Sequence, residues 1–134
     1  MTAALTSPSV VTQPEAAAQP LRIATLTRRA DFLRAAQARR QGTPGFLLQA
    51  RHRSDGQAEA RIGFTCSKKI GNAVTRNRAK RRLRAIAREV LPQAALSGWD
   101  YVLVGRPQAT VTRDFAAMRA DLESALGRIH EARR

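Results

Sequence analysis

Aromatic side chains make up only 4% of this chain, cysteine occurs once, and no apolar run approaches the roughly 20 residues of a membrane-spanning helix. Each shortage removes a class of protein. A single cysteine, Cys66, forbids an intrachain disulfide, so nothing demands an oxidising compartment and a cytoplasmic setting is expected. The scarce rings leave the basic segments without the bulky apolar face of an interfacial membrane anchor, so no membrane partner is expected. The most telling shortage is of acid. Between Arg61 and Arg88 there is no Asp or Glu, and over the whole chain 24 basic residues against 10 acidic ones leave a formal charge of +14. Such an excess repels itself and calls for an anionic partner, with nucleic acid the first candidate.

The ingredients of protein-borne catalysis are missing too. The carboxylates show no paired spacing for metal-assisted hydrolysis, His52 and His130 stand apart from any partnered base, and there is no phosphate-cradling glycine loop or zinc-ligand cluster. Cys66 has cations nearby that favour thiolate, but its place at a strand end reads as packing. Neither a catalytic residue nor a metal ligand is expected.

Residues 1–20 are rich in Ala, Thr, Ser, Gln and Pro, with Pro8, Pro14 and Pro20 interrupting any apolar run. They read as a disordered extension rather than a signal peptide, and residues 21–134 read as one domain. Leu26 to Arg40 suits a helix that Thr27 can cap, until Gly42, Pro44 and Gly45 stop it. Phe46 to Arg53 and Ala58 to Cys66 read as the two strands of a hairpin turning at Ser54-Asp55-Gly56. After Gly71, Asn72 or Thr75 can cap a long helix closed by Pro92. Its Ala79, Leu83, Ile86, Ala87 and Val90 recur at i, i+4, i+7, i+8 and i+11, a single apolar stripe. Trp99 to Gly105 has apolar residues on both parities, as a strand buried on two faces requires, and a last helix begins near Thr112. The fold class is therefore α+β in the order α-β-β-α-β-α.

On the long helix Arg76, Lys80 and Arg84 line up one turn apart beside the stripe, with Asn77 adjacent and Arg81 and Arg88 further round. A merely solvated helix mixes charge signs for support between neighbouring turns, whereas this one crowds like charges at a cost. The three lysines, Lys68, Lys69 and Lys80, all lie in the same region. The remaining cations are arginines, whose forked guanidinium suits phosphate. A helix-turn-helix reader of DNA needs another helix just before the recognition helix, but a strand precedes Gly71, so RNA is the expected partner and DNA is not.

From Arg61-Ile62-Gly63-Phe64-Thr65-Cys66-Ser67-Lys68-Lys69-Ile70-Gly71-Asn72 through Arg76-Asn77-Arg78-Ala79-Lys80-Arg81-Arg82-Leu83-Arg84, the chain resembles the signature of the bacterial ribonuclease P protein subunit. The resemblance extends to Asp31-Phe32, Phe46-Leu47-Leu48 and Asp100-Tyr101-Val102-Leu103-Val104. It implies a small α/β sandwich similar to a ribosomal-protein domain, with a left-handed βαβ crossover. It also implies a ribonucleoprotein endonuclease whose RNA subunit carries the Mg²⁺-dependent chemistry and releases the 5′ leader of precursor tRNA. The partners so implied are the catalytic RNA and the precursor. By position, Lys68, Lys69, Arg76, Asn77, Arg78, Lys80, Arg81 and Arg84 would contact RNA, and Phe32, Phe46 and Gln49 would border a cleft for the single-stranded leader. Where the family often carries further aromatics this chain has Ala36 and Gln49, which shifts leader contact toward phosphates. A structural ribosomal-type RNA-binding protein is the alternative, and a protein-only nuclease a third reading.

Overall fold

The computed structural model describes residues 21–132, so the extension expected over residues 1–20 lies outside it. The elements are β1 (Ile23–Thr25), α1 (Arg29–Ala36), β2 (Arg39–Gly42), β3 (Phe46–His52) and β4 (Ala60–Thr65). A 3₁₀ turn (Lys68–Ile70) leads into α2 (Ala73–Ala94), β5 (Trp99–Gly105), α3 (Ala109–Thr112) and α4 (Phe115–Ala132). The strands form one five-stranded sheet in the order β1-β4-β5-β3-β2. β5, apolar on both parities, takes the centre, parallel to β4 and antiparallel to β3.

Alternation along the strands separates two cores. Phe46, Leu48, Ala50, Ile62, Tyr101 and Leu103 project from one face onto the apolar stripe of α2 (Leu83, Ile86, Val90) and onto Met118, Leu122 and Leu126 of α4. The other face carries Val102 and Val104 beneath Leu26, Phe32 and Ala35, so α1 covers the side opposite α2 and α4. The result is a sandwich with two long helices on one side and one short helix on the other.

Three local expectations change. The first helix runs only from Arg29 to Ala36, and Arg28 rather than Thr27 occupies its N-cap without a side-chain bond. Arg39 and Arg40, expected in the helix, instead join Gln41 and Gly42 in β2 because β3 offers them a backbone ladder, pairing Arg39 with Ala50 through to Gly42 with Leu47. Thr43 clasps that hairpin, its hydroxyl donating to the Phe46 carbonyl at 2.7 Å and accepting from the Phe46 amide at 3.0 Å. Second, β3 and β4 do not pair as a hairpin. β5 lies between them and takes the hydrogen bonds of both, which suits a strand with apolar residues on both faces better than an edge position. Third, Pro92 falls inside the last turn of α2, which continues to Ala94. Lacking an N–H, Pro92 cannot donate to the carbonyl four residues back, and only two residues of helix follow it.

Candidate nucleic-acid interface

The strand β4 delivers the chain into the turn Ser67-Lys68-Lys69-Ile70, where Ile70 is buried and both lysines are exposed. Ser67 Oγ accepts from the Lys69 amide at 3.3 Å, and Gly71 then takes φ 143°, a conformation side chains with Cβ rarely adopt. Of the two candidate caps, Asn72 is the one that caps α2, its Oδ1 accepting from the Thr75 amide at 2.9 Å. Cap and glycine together fix where the cationic helix starts relative to the two lysines.

Along α2 the buried stripe turns inward and leaves Asn77, Arg78, Arg81, Arg84 and Arg88 exposed, while Arg76 and Lys80 border the stripe half-buried. Among the described residues, the salt bridges involve other arginines. None joins Lys68, Lys69, Arg76, Arg78, Lys80, Arg81, Arg84 or Arg88 to a carboxylate. The cations predicted to bind RNA thus lie along the 3₁₀ turn and the sides of α2 away from its apolar stripe, without a carboxylate partner among the described residues. Arg76 Nε is buried without a hydrogen-bond partner. Arg84 lies over the Phe64 ring, 5.7 Å from its centroid. Cys66, half-buried among Arg76, Lys80 and Arg84, has its thiol pKa pushed up by burial despite those cations, in keeping with a packing role.

Arg82 sits in the middle of this array yet serves the fold. Its Nε donates to the Thr110 carbonyl at 2.9 Å and its Nη2 to the Arg113 carbonyl, tying α2 to the end of α3. Nothing in the run Lys80-Arg81-Arg82 distinguishes it from its neighbours.

The leader-cleft residues do not stay together. Phe46 is 0% exposed in the core beneath α2 and α4, so the expectation that it borders a cleft is corrected: its ring is unavailable for stacking. Phe32 is half-buried on α1, and Gln49, opposite Val102 in register, is half-buried on the same face of the sheet. Phe32 and Gln49 thus share the α1 face, across the sheet from α2. Gly63 makes room for Phe32 there, since a Cβ at that position would fall 2.5 Å from the ring.

A second charged cluster on the α1 face escaped sequence reasoning. Register places Arg51 and Arg61 on either side of Asp100 in three adjacent strands. Asp100 is fully buried and accepts from Arg61 twice at 2.7 Å and from Arg53 at 2.9 Å, with Arg51 at 3.7 Å. Arg61 also meets Asp31, at 3.4 Å, and Asp31 meets Arg34 at 3.2 Å. The hydrogen bonds and charge of Asp100, with Asp31 adding to them, raise the Arg61 pKa further above its ordinary range. These residues lie up to 69 positions apart (Asp31 to Asp100), so no spacing announces them.

Comparison with known proteins follows the same lines. The family model described as Ribonuclease P matches residues 22–130. A protein named ribonuclease P protein component from Ruegeria pomeroyi is 58% identical over 109 residues, covering 81% of this chain and 87% of its own length. One of the same name from Paramagnetospirillum magneticum is 48% identical over 112 residues, covering 81% and 84%. Among solved structures, the RNase P protein from Thermotoga maritima superimposes with a TM-score of 0.65 at 28% identity, over 78% of this chain and 96% of that one. The Staphylococcus aureus RNase P protein gives 0.64 at 25% identity, over 78% and 94%. With the lysine turn, the capped cationic helix and the sandwich all in place, the chain belongs to the ribonuclease P protein family.

Proposed function

We propose that this chain is the protein subunit of a ribonucleoprotein that removes the 5′ leader of precursor tRNA, binding the catalytic RNA through Lys68, Lys69 and the cationic face of α2. The observation that carries the reading is the uncompensated charge of Arg76, Arg78, Lys80, Arg81 and Arg84 beside a rigid cap, a surface suited to phosphate. The single-stranded leader lies along the α1 face near Phe32 and Gln49, where one ring is available and the remaining grip is ionic. The chain acts in the cytoplasm, beside its RNA.

The described residues do not suit a protein-held Mg²⁺: no three His, Cys, Asp or Glu side chains converge, and Asp31, Asp55, Glu89, Asp100 and Asp121 are each engaged by arginine. In this reading the scissile chemistry belongs to the RNA and its Mg²⁺, while the protein neutralises phosphate and raises precursor affinity. Reconstitution with the cognate RNA tests this. Precursor should bind more tightly at low Mg²⁺ when the protein is present. Unchanged affinity, or association with ribosomal subunits without any stimulation of 5′ maturation, overturns it. Lys80→Ala should weaken RNA binding and lower the slope of log affinity against log salt by about one unit.

A further inference from the structure

A groove of about 440 Å³ opens between the edge strand β1 and the carboxyl half of α2, on the sheet face away from α1. Its floor is apolar, formed by Ile23, Ile62, Phe64 and Leu91, and Arg84 and Arg88 stand on its rim. Neither arginine has a carboxylate partner among the described residues. Arg84 is already oriented, its guanidinium held over the Phe64 ring at 5.7 Å from the centroid. An apolar recess with cations at its mouth fits a ligand that is flat and apolar in body and anionic at one end. We propose that this groove captures an unpaired base of an RNA partner, stacked against the Phe64–Arg84 pair, with its phosphodiester on Arg88.

Charge selects this occupant. The recess lies at the end of a line of cations, Arg76, Lys80, Arg84 and Arg88, repeating every four residues along α2 and so rising about 6 Å per step. That line offers a strand successive phosphate contacts before it reaches the apolar floor. Guanidinium planes stack on bases, and aromatic platforms accept any base because every base has a π face. The inference rests on the proposed function only in taking RNA as the partner. Phosphate contact along α2 needs no base pocket, and a base pocket adds a contact that salt does not screen.

The test uses the full chain and two probes: a short single-stranded adenosine oligonucleotide, and a strand of equal length with abasic spacers in place of nucleosides. The wild-type chain should prefer the base-bearing strand by at least about fivefold. Phe64→Leu should abolish most of that preference and leave the salt slope intact. In the wild-type chain, the methyl resonances of Ile23 and Leu91 should move with the base-bearing strand and stay still with the abasic one. The proposal falls if the methyls do not respond, or if the preference survives Phe64→Leu. It falls equally if Overhauser contacts from residues 1–20 to those methyls show the groove filled before RNA is added, or if an acidic aromatic peptide moves them and the oligonucleotide does not. A preserved salt slope in any of these cases leaves the phosphate-binding role of α2 standing; loss of salt dependence in the wild-type chain would end both.

Discussion

Arg81 and Arg82 are adjacent on one helix, identical in chemistry and opposite in consequence, which makes their neutralisation a sharp experiment. Arg81 is exposed and, among the described residues, pairs with no carboxylate. Arg82 is half-buried and donates to the carbonyls of Thr110 and Arg113. Hydrogen bonds from a charged donor contribute roughly 1.5–3 kcal/mol, and the acceptors here close the junction between α2 and α3. Arg82→Gln should therefore cost about 2 kcal/mol of folding stability, with little effect on the salt dependence of RNA binding. Arg81→Gln should change stability by less than about 0.5 kcal/mol and lower the salt slope by about 0.7 to 0.9 units, according to whether the phosphate it meets belongs to a single or a paired strand. Urea unfolding gives the first quantity, and fluorescence anisotropy across a KCl series with the cognate RNA gives the second. If Arg82→Gln removes a full unit of salt slope while unfolding like wild type, the division of α2 into a binding side and a fastening side is wrong.

Asp100→Asn leaves the side-chain cluster of Arg51, Arg53 and Arg61 without its central charge, and should destabilise the fold by about 3 kcal/mol by calorimetry or urea unfolding; a loss under about 1 kcal/mol would mean the neighbouring carbonyls suffice. Gly63→Ala should cost about 1–3 kcal/mol by forcing the Phe32 ring off the sheet, and most of that penalty should vanish in a Phe32→Ala background; simple additivity of the two changes would refute the contact. Burial pushes the Tyr101 pKa up to about 12, against roughly 10 in the unfolded chain. The unfolded state then releases this proton first as pH rises, so stability is complete below pH ~10 and falls by about 2–3 kcal/mol toward pH ~12. Urea midpoints across that window should decline more steeply for wild type than for Tyr101→Phe, and equal slopes would rule out this origin.

Local pattern sufficed wherever one element's own periodicity carries the information. The stripe Ala79, Leu83, Ile86, Ala87 and Val90 identified the buried side of α2, the pair Asn72 and Thr75 bracketed its start, and the two-sided apolarity of Trp99–Gly105 identified a strand inside a sheet. The acid-free run and its motif also carried the family, because charge and the Arg76-Asn77-Arg78 run are properties of contiguous residues. Tertiary structure decided everything that depends on which distant element arrives alongside. Residues 39–42 became a strand because β3 was there to pair with, and Phe46 and Phe32 were sent to opposite sides because alternation in β3 and the placement of α1 put the sheet between them. Asp100 found Arg51 and Arg61 through strand register, and Arg82 was withdrawn from the cationic surface because α3 presents free carbonyls within its reach. A sequence records how many charges a helix carries, but whether each meets solvent, a carbonyl or a carboxylate is a matter of distances between segments far apart in the chain.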